Sequence, residues 1–265
     1  MANGGPLVVA HRGSSHDAPE HTLAAYQRAL DQGADALECD VRLTRDGHLV
    51  CVHDRRVDRT SSGRGPVSTL ELAELSELDF TSWRTGEGGL AEVPGSDEAG
   101  VLTFARLLEM VLDAPEPVAL HVETKHPTRY AGLVEQTLVG LLAGHGVTGP
   151  GASAAGRVTV MSFAPMGLRR IRLLAPELPT VLLVRDRTYA AWRDGVLPNG
   201  VHIAGPSIGT LRRHPRYVAR LRARGHGVHA WTVDAPGDID LVLSLGVDAV
   251  ITNRPAEVLR RLGRV

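Results

Sequence analysis

Hydrophobic and polar residues alternate most strictly over Leu37–Thr44, where every second residue is apolar and the others are charged or polar. This two-residue period predicts a β-strand. Asp46 and Gly47 follow, a pair that is typical of a two-residue hairpin turn because both turn positions require positive φ. The apolar run Leu49–Val52 then predicts a strand that returns along the first one.

The expected register of this hairpin brings ionisable side chains together. With Asp46-Gly47 as the whole loop, Asp40 lies opposite His53, and Glu38 shares their face because it lies two residues before Asp40. Neighbouring carboxylates repel each other and resist ionisation until a cation relieves them. The pattern therefore indicates a divalent metal site beside a histidine, and the alternative is a solvated edge hairpin with ordinary surface charges.

The rest of the chain alternates between short apolar runs and segments with helical periodicity. Thr22 is the expected N-cap of a helix over Leu23–Gly33, and Thr103 caps another helix that ends near Leu112. Repeated strand–helix units over the whole length predict a closed (β/α)8 TIM barrel with an extra hairpin strand, and a doubly wound open sheet is the second choice. The eight barrel strands are predicted at Leu7–Ala10, Ala36–Asp40, Val118–Glu123, Val158–Ser162, Thr180–Val184, Gly200–Ala204, Val228–Trp231 and Ala249–Ile251.

The stretch from Arg55 to Gly100 departs from this alternation. Ser68 followed by Glu71 predicts a capping box that opens a short helix ending near Leu78. Thr85–Gly100 is rich in glycine and acidic residues and shows no hydrophobic period. We expect an insertion over about 55–100 that covers one end of the barrel, because long loops in compact domains are usually functional.

Composition narrows the class of protein. The 265 residues suit a single domain that spans the chain, and hydrophobic residues make up 43% of it. The net charge of -1 gives no reason to expect nucleic acid or an anionic membrane as a partner, and no apolar run is long enough to span a bilayer. The N-terminus lacks the pattern of a signal peptide, so we expect a cytoplasmic protein. The expected register puts Cys39 and Cys51 on opposite faces as free thiols. The oligomeric state is left open.

Active sites of (β/α)8 barrels lie at the C-terminal ends of the strands, and these ends carry the candidate chemistry. Three carboxylates suit Mg²⁺ or Ca²⁺, an arginine and the only lysine in the chain suit a phosphate, and two histidines suit acid–base catalysis. Together they indicate metal-assisted cleavage of a phosphoester. The residues at these ends are Glu38, Asp40 and Glu123, then Arg12 and Lys125, then His11 and His53, with Phe163, Trp231 and Asn253 at other strand ends.

The same motifs resemble the glycerophosphodiester phosphodiesterase family over essentially the whole chain. They are H-R-G at His11–Gly13, P-E-x-T at Pro19–Thr22, E-x-D at Glu38–Asp40, H-D at His53–Asp54 and E-x-K at Glu123–Lys125, with later pieces at Ser162–Phe163, Trp231–Val233 and Gly246–Pro255. The insertion also lies where that family carries one.

The resemblance implies a (β/α)8 barrel that hydrolyses glycerophosphodiesters to sn-glycerol 3-phosphate and an alcohol. By the same resemblance Glu38, Asp40 and Glu123 match the metal ligands, His11 and His53 the acid–base pair, Arg12 and Lys125 the phosphate contacts, Phe163 and Trp231 the substrate cleft, and Glu20 a supporting residue. His21 and Asp234 stand where the family usually has asparagine. The resemblance leaves open which histidine is the acid, and whether the glycerol hydroxyl or water attacks first.

Two other functions remain as alternatives. A phospholipase of similar barrel type, acting on phosphatidylinositol or sphingomyelin, requires apolar residues that face a membrane, and the insertion offers few beyond Phe80 and Trp83. A non-catalytic barrel that binds metal or phosphate is disfavoured by the presence of both candidate histidines.

Overall fold

The structure is a computed structural model that describes residues 5–84 and 99–264. Eight parallel strands close into a barrel, because the first strand pairs with both the second and the last strand of the chain. The predicted (β/α)8 barrel with one extra strand is confirmed: the third strand pairs antiparallel with the second, outside the ring. The strands are β1 Leu7–His11, β2 Ala36–Leu43, β3 Leu49–Cys51, β4 Ala119–Thr124, β5 Val158–Ser162, β6 Thr180–Val184, β7 Ile203–Pro206, β8 Gly227–Ala230 and β9 Ala249–Thr252.

Helices follow the barrel strands along the chain. The side chains of Thr22 and Thr103 accept hydrogen bonds from backbone N–H groups of the first turns of α1 and α3, as predicted for N-caps. No helix in the described part of the chain is long and apolar enough to cross a membrane. The helices are α1 Leu23–Asp31, α2 Leu72–Ser76, α3 Phe104–Leu112, α4 Leu133–Gly144, α5 Pro165–Leu174, α6 Asp186–Trp192, α7 Ile208–Arg213, α8 Arg216–Arg222, α9 Pro236–Leu245 and α10 Pro255–Arg261, with 3₁₀ turns at Val67–Thr69 and Ser82–Arg84.

The alternation along each strand decides which side chains enter the barrel. Residues such as Leu37 and Leu120 pack outward against the helices, whereas Ala36 packs with other small and branched residues inside the ring. Glu38 and Asp40 lie two and four residues after Ala36 on β2, so they also point inward. The inner apolar layer consists of Val9, Ala36, Met161, Val181, Leu183, Ala249 and Ile251.

Two buried histidines also belong to the barrel interior. Nε2 of His121 on β4 lies 3.2 Å from Nδ1 of His229 on β8. Burial lowers the pKa of His121 to about 3 and that of His229 to about 4. Both rings are therefore neutral near pH 7, and one of the two facing nitrogens carries a proton that it donates to the other.

The register of the hairpin differs by one residue from the prediction. Val41 pairs with Cys51, and the backbone N–H of Thr44 donates to the carbonyl of His48 at 2.9 Å, so the loop has three residues and not two. The Thr44 hydroxyl causes this, because it accepts from the backbone N–H of His48 and donates to Asp46. Asp40 therefore does not lie directly opposite His53, which follows the end of β3.

The corrected register changes the position of the cysteines. Cys39 and Cys51 lie on the same face, in one buried cluster. The prediction of opposite faces is wrong for the same one-residue reason. Both remain free thiols, and their face is the one turned away from Glu38 and Asp40.

Local details of the other elements also differ from the predictions. The capping box lies at Glu71 and Glu74, one turn later than Ser68, because Val67–Thr69 forms a 3₁₀ turn. The helical stretch after β7 is divided into α7 and α8, and Pro215 precedes the second part. Of the irregular stretch predicted at Thr85–Gly100, residues 85–98 lie outside the described residues.

Candidate active site

Three buried carboxylates meet at the C-terminal end of the barrel. Glu38 and Asp40 come from β2 and Glu123 comes from β4, where Asp40 and Glu123 are directly paired in register. One oxygen of each lies within 4.8 Å of the others. Such a group of oxygens suits a hard divalent cation such as Mg²⁺ or Ca²⁺.

Two cations contact this acidic cluster of Glu38, Asp40 and Glu123. The Nζ atom of Lys125 lies 2.8 Å from Oδ1 of Asp40 and 2.8 Å from Oε2 of Glu123. The Nε atom of Arg12 lies 2.9 Å from Oδ2 of Asp40, and its backbone N–H donates to Oε2 of Glu38 at 3.1 Å. Arg12 has a left-handed φ of 58°, and this turn at the end of β1 directs both of its contacts towards β2.

The charges set the protonation of the carboxyl groups. Burial and the neighbouring Asp40 raise the pKa of Glu38 well above its usual value. Burial also raises the pKa of Glu123 to about 7, against the opposing effect of Lys125. Burial acts on Asp40 in the same direction, but Lys125 and Arg12 outweigh it and hold its pKa well below the usual range. The cluster thus sets three carboxyl groups against two cations, and two of the three resist ionisation, a condition that a bound divalent ion relieves.

His21 is part of this site, which the sequence indicated only as a departure from the family pattern. Its Nε2 lies 3.0 Å from Oδ2 of Asp40, and its Nδ1 lies 2.8 Å from the hydroxyl of Tyr26. The backbone φ of His21 is 61°, a left-handed conformation that asparagine and histidine adopt more readily than most residues. Histidine therefore satisfies the same backbone requirement as asparagine and adds a contact to a metal-ligand candidate.

His11 is held by the last strand of the barrel. The amide of Asn253 donates from Nδ2 to Asp234 at 2.7 Å, which turns its Oδ1 towards Nδ1 of His11 at 2.7 Å. The Nδ1–H of His11 therefore donates, and Nε2 lies 4.0 Å from Oε2 of Glu38. Burial, aided by the charge of Arg12, lowers the pKa of His11 to about 3.

His53 is held by a carboxylate instead. Its Nδ1 lies 2.7 Å from Oδ1 of Asp54, and Arg59 donates from Nε to the other oxygen of Asp54 at 2.6 Å. Arg59 also donates to both oxygens of Glu20 at 2.7 and 2.9 Å, and Glu20 accepts from Arg12 at 3.1 Å. Burial lowers the pKa of His53 to about 4. This chain of contacts connects His53 to Arg12 through the insertion.

The two aromatic candidates form the apolar part of the site. Phe163 and Trp231 stand edge to face with ring centroids 5.3 Å apart, and both pack on the inner layer of the barrel. The guanidinium of Arg185 lies 4.2 Å from the centre of the Phe163 ring. The Trp231 indole donates to the carbonyl of Gly205, which fixes its orientation.

A cavity of about 410 Å³ lies at this end of the barrel, with His11, Arg12, Glu20 and Asn253 in its wall. Trp83, from the insertion, also lines it. A larger groove of about 900 Å³ runs between α1 and α3 at the other end of the barrel. That groove is remote from the acidic cluster, so the smaller cavity is the candidate substrate site.

The structure brings most of the predicted site residues together. Glu38, Asp40, Glu123, Arg12, Lys125 and His11 form one network with Glu20, and His53 joins it through Asp54 and Arg59. The sequence marked Asp54 only as part of the H-D motif and Asp234 only as a departure from the family pattern, so their contacts to His53 and Asn253 were missed. Nothing local marks Arg59 among many other arginines.

Comparisons with known proteins agree with this geometry. A sequence profile of the glycerophosphoryl diester phosphodiesterase family matches residues 11–257. The protein named probable glycerophosphodiester phosphodiesterase 1 of Mycobacterium tuberculosis is 47% identical over 253 residues, which cover 95% of this chain and 90% of that protein. A glycerophosphodiester phosphodiesterase of Bacillus subtilis is 35% identical and covers 94% of this chain and 84% of its own length.

A solved structure is also similar. The phosphodiesterase of Oleispira antarctica, in complex with the product sn-glycerol-3-phosphate, superposes with a TM-score of 0.82 and 26% identity, and the match covers 97% of each chain. The profile match spans nearly the whole barrel and includes every candidate site residue. The chain therefore belongs to the glycerophosphoryl diester phosphodiesterase family.

Proposed function

We propose that this enzyme hydrolyses glycerophosphodiesters to sn-glycerol 3-phosphate and an alcohol, with a divalent metal ion and two histidines. The observation that carries the proposal is the meeting of three buried carboxylates within 4.8 Å, flanked by Arg12, Lys125 and the oriented ring of His11. The product bound in the Oleispira antarctica structure supports the same reaction.

The metal ligands in this proposal are Glu38, Asp40 and Glu123. They fit a divalent ion because burial, together with the neighbouring charge of Asp40, raises the pKa of Glu38 and of Glu123, and a bound cation would favour their ionised forms. Mg²⁺ and Ca²⁺ both suit an all-oxygen ligand set. When bound, such an ion neutralises and polarises a phosphoryl oxygen.

Arg12 and Lys125 are proposed to hold the phosphate. Both are anchored on Asp40, so their positions are fixed before a substrate enters. A guanidinium and an ammonium aimed at one site stabilise the negative charge that builds up on the phosphoryl oxygens during the reaction. Phe163 and Trp231 then offer the apolar wall against which the carbon chain of the substrate packs.

His11 and His53 are proposed to move the protons. Each ring uses Nδ1 for its orienting contact, which leaves Nε2 as the nitrogen for proton transfer. The neutral amide of Asn253 suits a ring that stays neutral and accepts a proton, so His11 is the proposed base. The carboxylate of Asp54 stabilises an imidazolium, so His53 is the proposed acid that protonates the leaving alcohol.

We further propose that the insertion is part of the same single domain and covers the site. Trp83 lines the cavity, and Arg59 connects Glu20 to Asp54. These contacts tie the described part of the insertion to the first strand–helix unit and to the end of the hairpin, and they support a covering role for the cavity that we assign to the substrate.

The experiment that tests this proposal measures glycerol 3-phosphate release from glycerophosphocholine and glycerophosphoethanolamine, with Mg²⁺, with Ca²⁺ and with chelator. Release that requires one of the metals supports the reaction and its cofactor. Release that persists in chelator would exclude the metal, and no release with either ion would exclude the reaction. Faster headgroup release from phospholipid vesicles would instead favour a phospholipase.

A further inference from the structure

A second, smaller cavity shares a wall with the active site. It measures about 160 Å³ and lies between β2, the loop after β4 and the start of the insertion. Its described lining contains four cationic side chains and no carboxylate, and we call it the basic pocket. The residues that line it are Arg42, Leu43, Arg55, Val67, Ser68, Lys125, Pro127, Thr128, Arg129, Tyr130 and Val134.

The cations of the basic pocket differ in the partners that they already have. Lys125 forms ion pairs with Asp40 and Glu123. Arg42 donates from Nε and Nη2 to the carbonyl oxygen of His53, at 3.1 and 2.7 Å, so it has a hydrogen-bond partner but no contacting carboxylate. Arg55 is exposed and forms no ion pair with any residue of the described ranges 5–84 and 99–264.

Three arginines, Arg42, Arg55 and Arg129, line the same pocket. Arg129 is oriented by its Tyr130 neighbour, whose hydroxyl donates to the backbone carbonyl of Ser68 at 2.9 Å. Guanidinium groups that line one pocket repel each other, and an anion bound among them reduces that repulsion.

The position of the basic pocket indicates which of the two alcohol groups of the phosphodiester substrate lies near it. Lys125 separates it from the acidic cluster, and Arg42 contacts the backbone carbonyl of His53. A phosphodiester has two arms, glycerol and the second alcohol. Because the proposed function assigns His53 to protonation of the leaving alcohol, the alcohol arm lies on this side.

We propose that the basic pocket binds an anionic group carried by the alcohol of the glycerophosphodiester, and so favours substrates whose alcohol bears a carboxylate or a phosphate. The inference rests on the proposed function and adds the class of alcohol to it. The volume of the pocket equals about five water molecules at roughly 30 Å³ each, which is room for one such group.

A matched pair of substrates tests this preference. Glycerophosphoserine and glycerophosphoethanolamine differ by one carboxylate, so the ratio of their kcat/KM values isolates the effect of that charge. We expect glycerophosphoserine to be preferred by the native enzyme, and the preference to fall about fivefold in Arg55→Gln, in line with about 1 kcal/mol for a partly screened charge pair. Arg129→Gln is expected to reduce it in the same direction.

The control is Arg169→Gln, which removes an equal charge from an exposed position on α5, outside the lining of this pocket. An equal kcat/KM for the two substrates, or a ratio that Arg55→Gln leaves unchanged, would overturn the inference while the proposed function stands. An equal loss in Arg169→Gln would overturn it by assigning the effect to overall charge. Hydrolysis of neither substrate would overturn the proposed function and this inference with it.

A last experiment distinguishes a pocket that binds an anionic group of the substrate from one that binds a free anion. Sulfate is titrated into native enzyme and into Arg55→Gln, and binding is followed by calorimetry. Sulfate that binds the native enzyme alone and lowers its preference for glycerophosphoserine supports the proposal, because both anions then compete for the same arginines. Sulfate binding without any substrate preference would assign the pocket to a free anion and overturn the proposal.

Discussion

Replacing Asp54 by asparagine tests whether His53 depends on a carboxylate to act as the acid. The change keeps the size of the side chain and removes the charge that lies 2.7 Å from Nδ1 of His53. Arg59 loses one charged partner but keeps both of its contacts to Glu20, so the insertion stays attached. We therefore expect an effect on catalysis with little loss of stability.

The structure sets the size of the effect. A hydrogen bond to a charged group contributes about 1.5–3 kcal/mol. The side chains of His53 and Asp54 are 34% and 33% exposed, so solvent screens part of that energy and about 1–2 kcal/mol remains. At about 1.4 kcal/mol per factor of ten, kcat/KM of Asp54→Asn falls roughly 5- to 30-fold.

The assay separates positioning from binding. We expect kcat to fall with little change in KM, and the limb of the pH–rate profile that reports His53 to move to lower pH, because the carboxylate that stabilises the imidazolium is gone. Asp58→Asn is the matched control, since Asp58 is an exposed carboxylate that pairs with Arg56. A loss below twofold in Asp54→Asn, or the same loss in the control, would refute the role of Asp54.

Four further predictions follow from the same contacts. His53→Ala is expected to lower kcat/KM by about 10² to 10⁴ while calorimetric metal binding persists, because all three ligands remain; near-normal turnover would remove His53 from the mechanism. Glu38→Gln is expected to weaken metal binding about tenfold or more, and unchanged affinity would contradict its role as a ligand. His21→Asn is expected to keep kcat/KM within a few-fold of the native value. His21→Ala is expected to lower the free energy of unfolding in urea by about 2 kcal/mol, because the buried Tyr26 hydroxyl and Asp40 each lose a hydrogen-bond partner. From pH 7 to pH 5 the free energy of unfolding of the native protein should fall by about 4 kcal/mol more than that of the double variant His121→Leu, His229→Leu. The reason is that both pKa values are low in the folded state, so the unfolded state takes up the protons first. An equal dependence of unfolding free energy on pH in both proteins would disprove this.

The sequence predicts that the acidic cluster forms, because polar residues recur with a two-residue period at the ends of two predicted strands. Glu38 and Asp40 alternate with apolar residues that pack outward, and Glu123 and Lys125 show the same spacing on another strand. Parallel barrel strands end at one face of the molecule, so inward residues near their C-terminal ends must meet. No long-range detail is needed for that conclusion, and the structure agrees with it.

The parts that sequence reasoning misses depend on single hydrogen bonds or on distant pairs. The Thr44 hydroxyl turns a two-residue loop into a three-residue loop, and Asp-Gly occurs in both kinds. Arg59 meets Glu20 across 39 positions, and Asn253 meets His11 across 242. Side-chain pairs at such sequence separations form only once the barrel has closed, and local sequence patterns do not predict them.

The balance of charge at the site connects the metal, the substrate and the basic pocket. Three carboxyl groups face Arg12 and Lys125, so ionisation of all three leaves one excess negative charge. A bound divalent ion would reverse this excess to one positive charge, and a phosphodiester carries one negative charge, so the complex would be neutral. The phosphate monoester of the product carries additional negative charge and fits less well, which favours its release. By the same balance, a second anionic group on the alcohol has no cation left to meet it inside the acidic cluster. It requires the guanidinium groups of Arg42 and Arg55 on the far side of Lys125, where the structure places them.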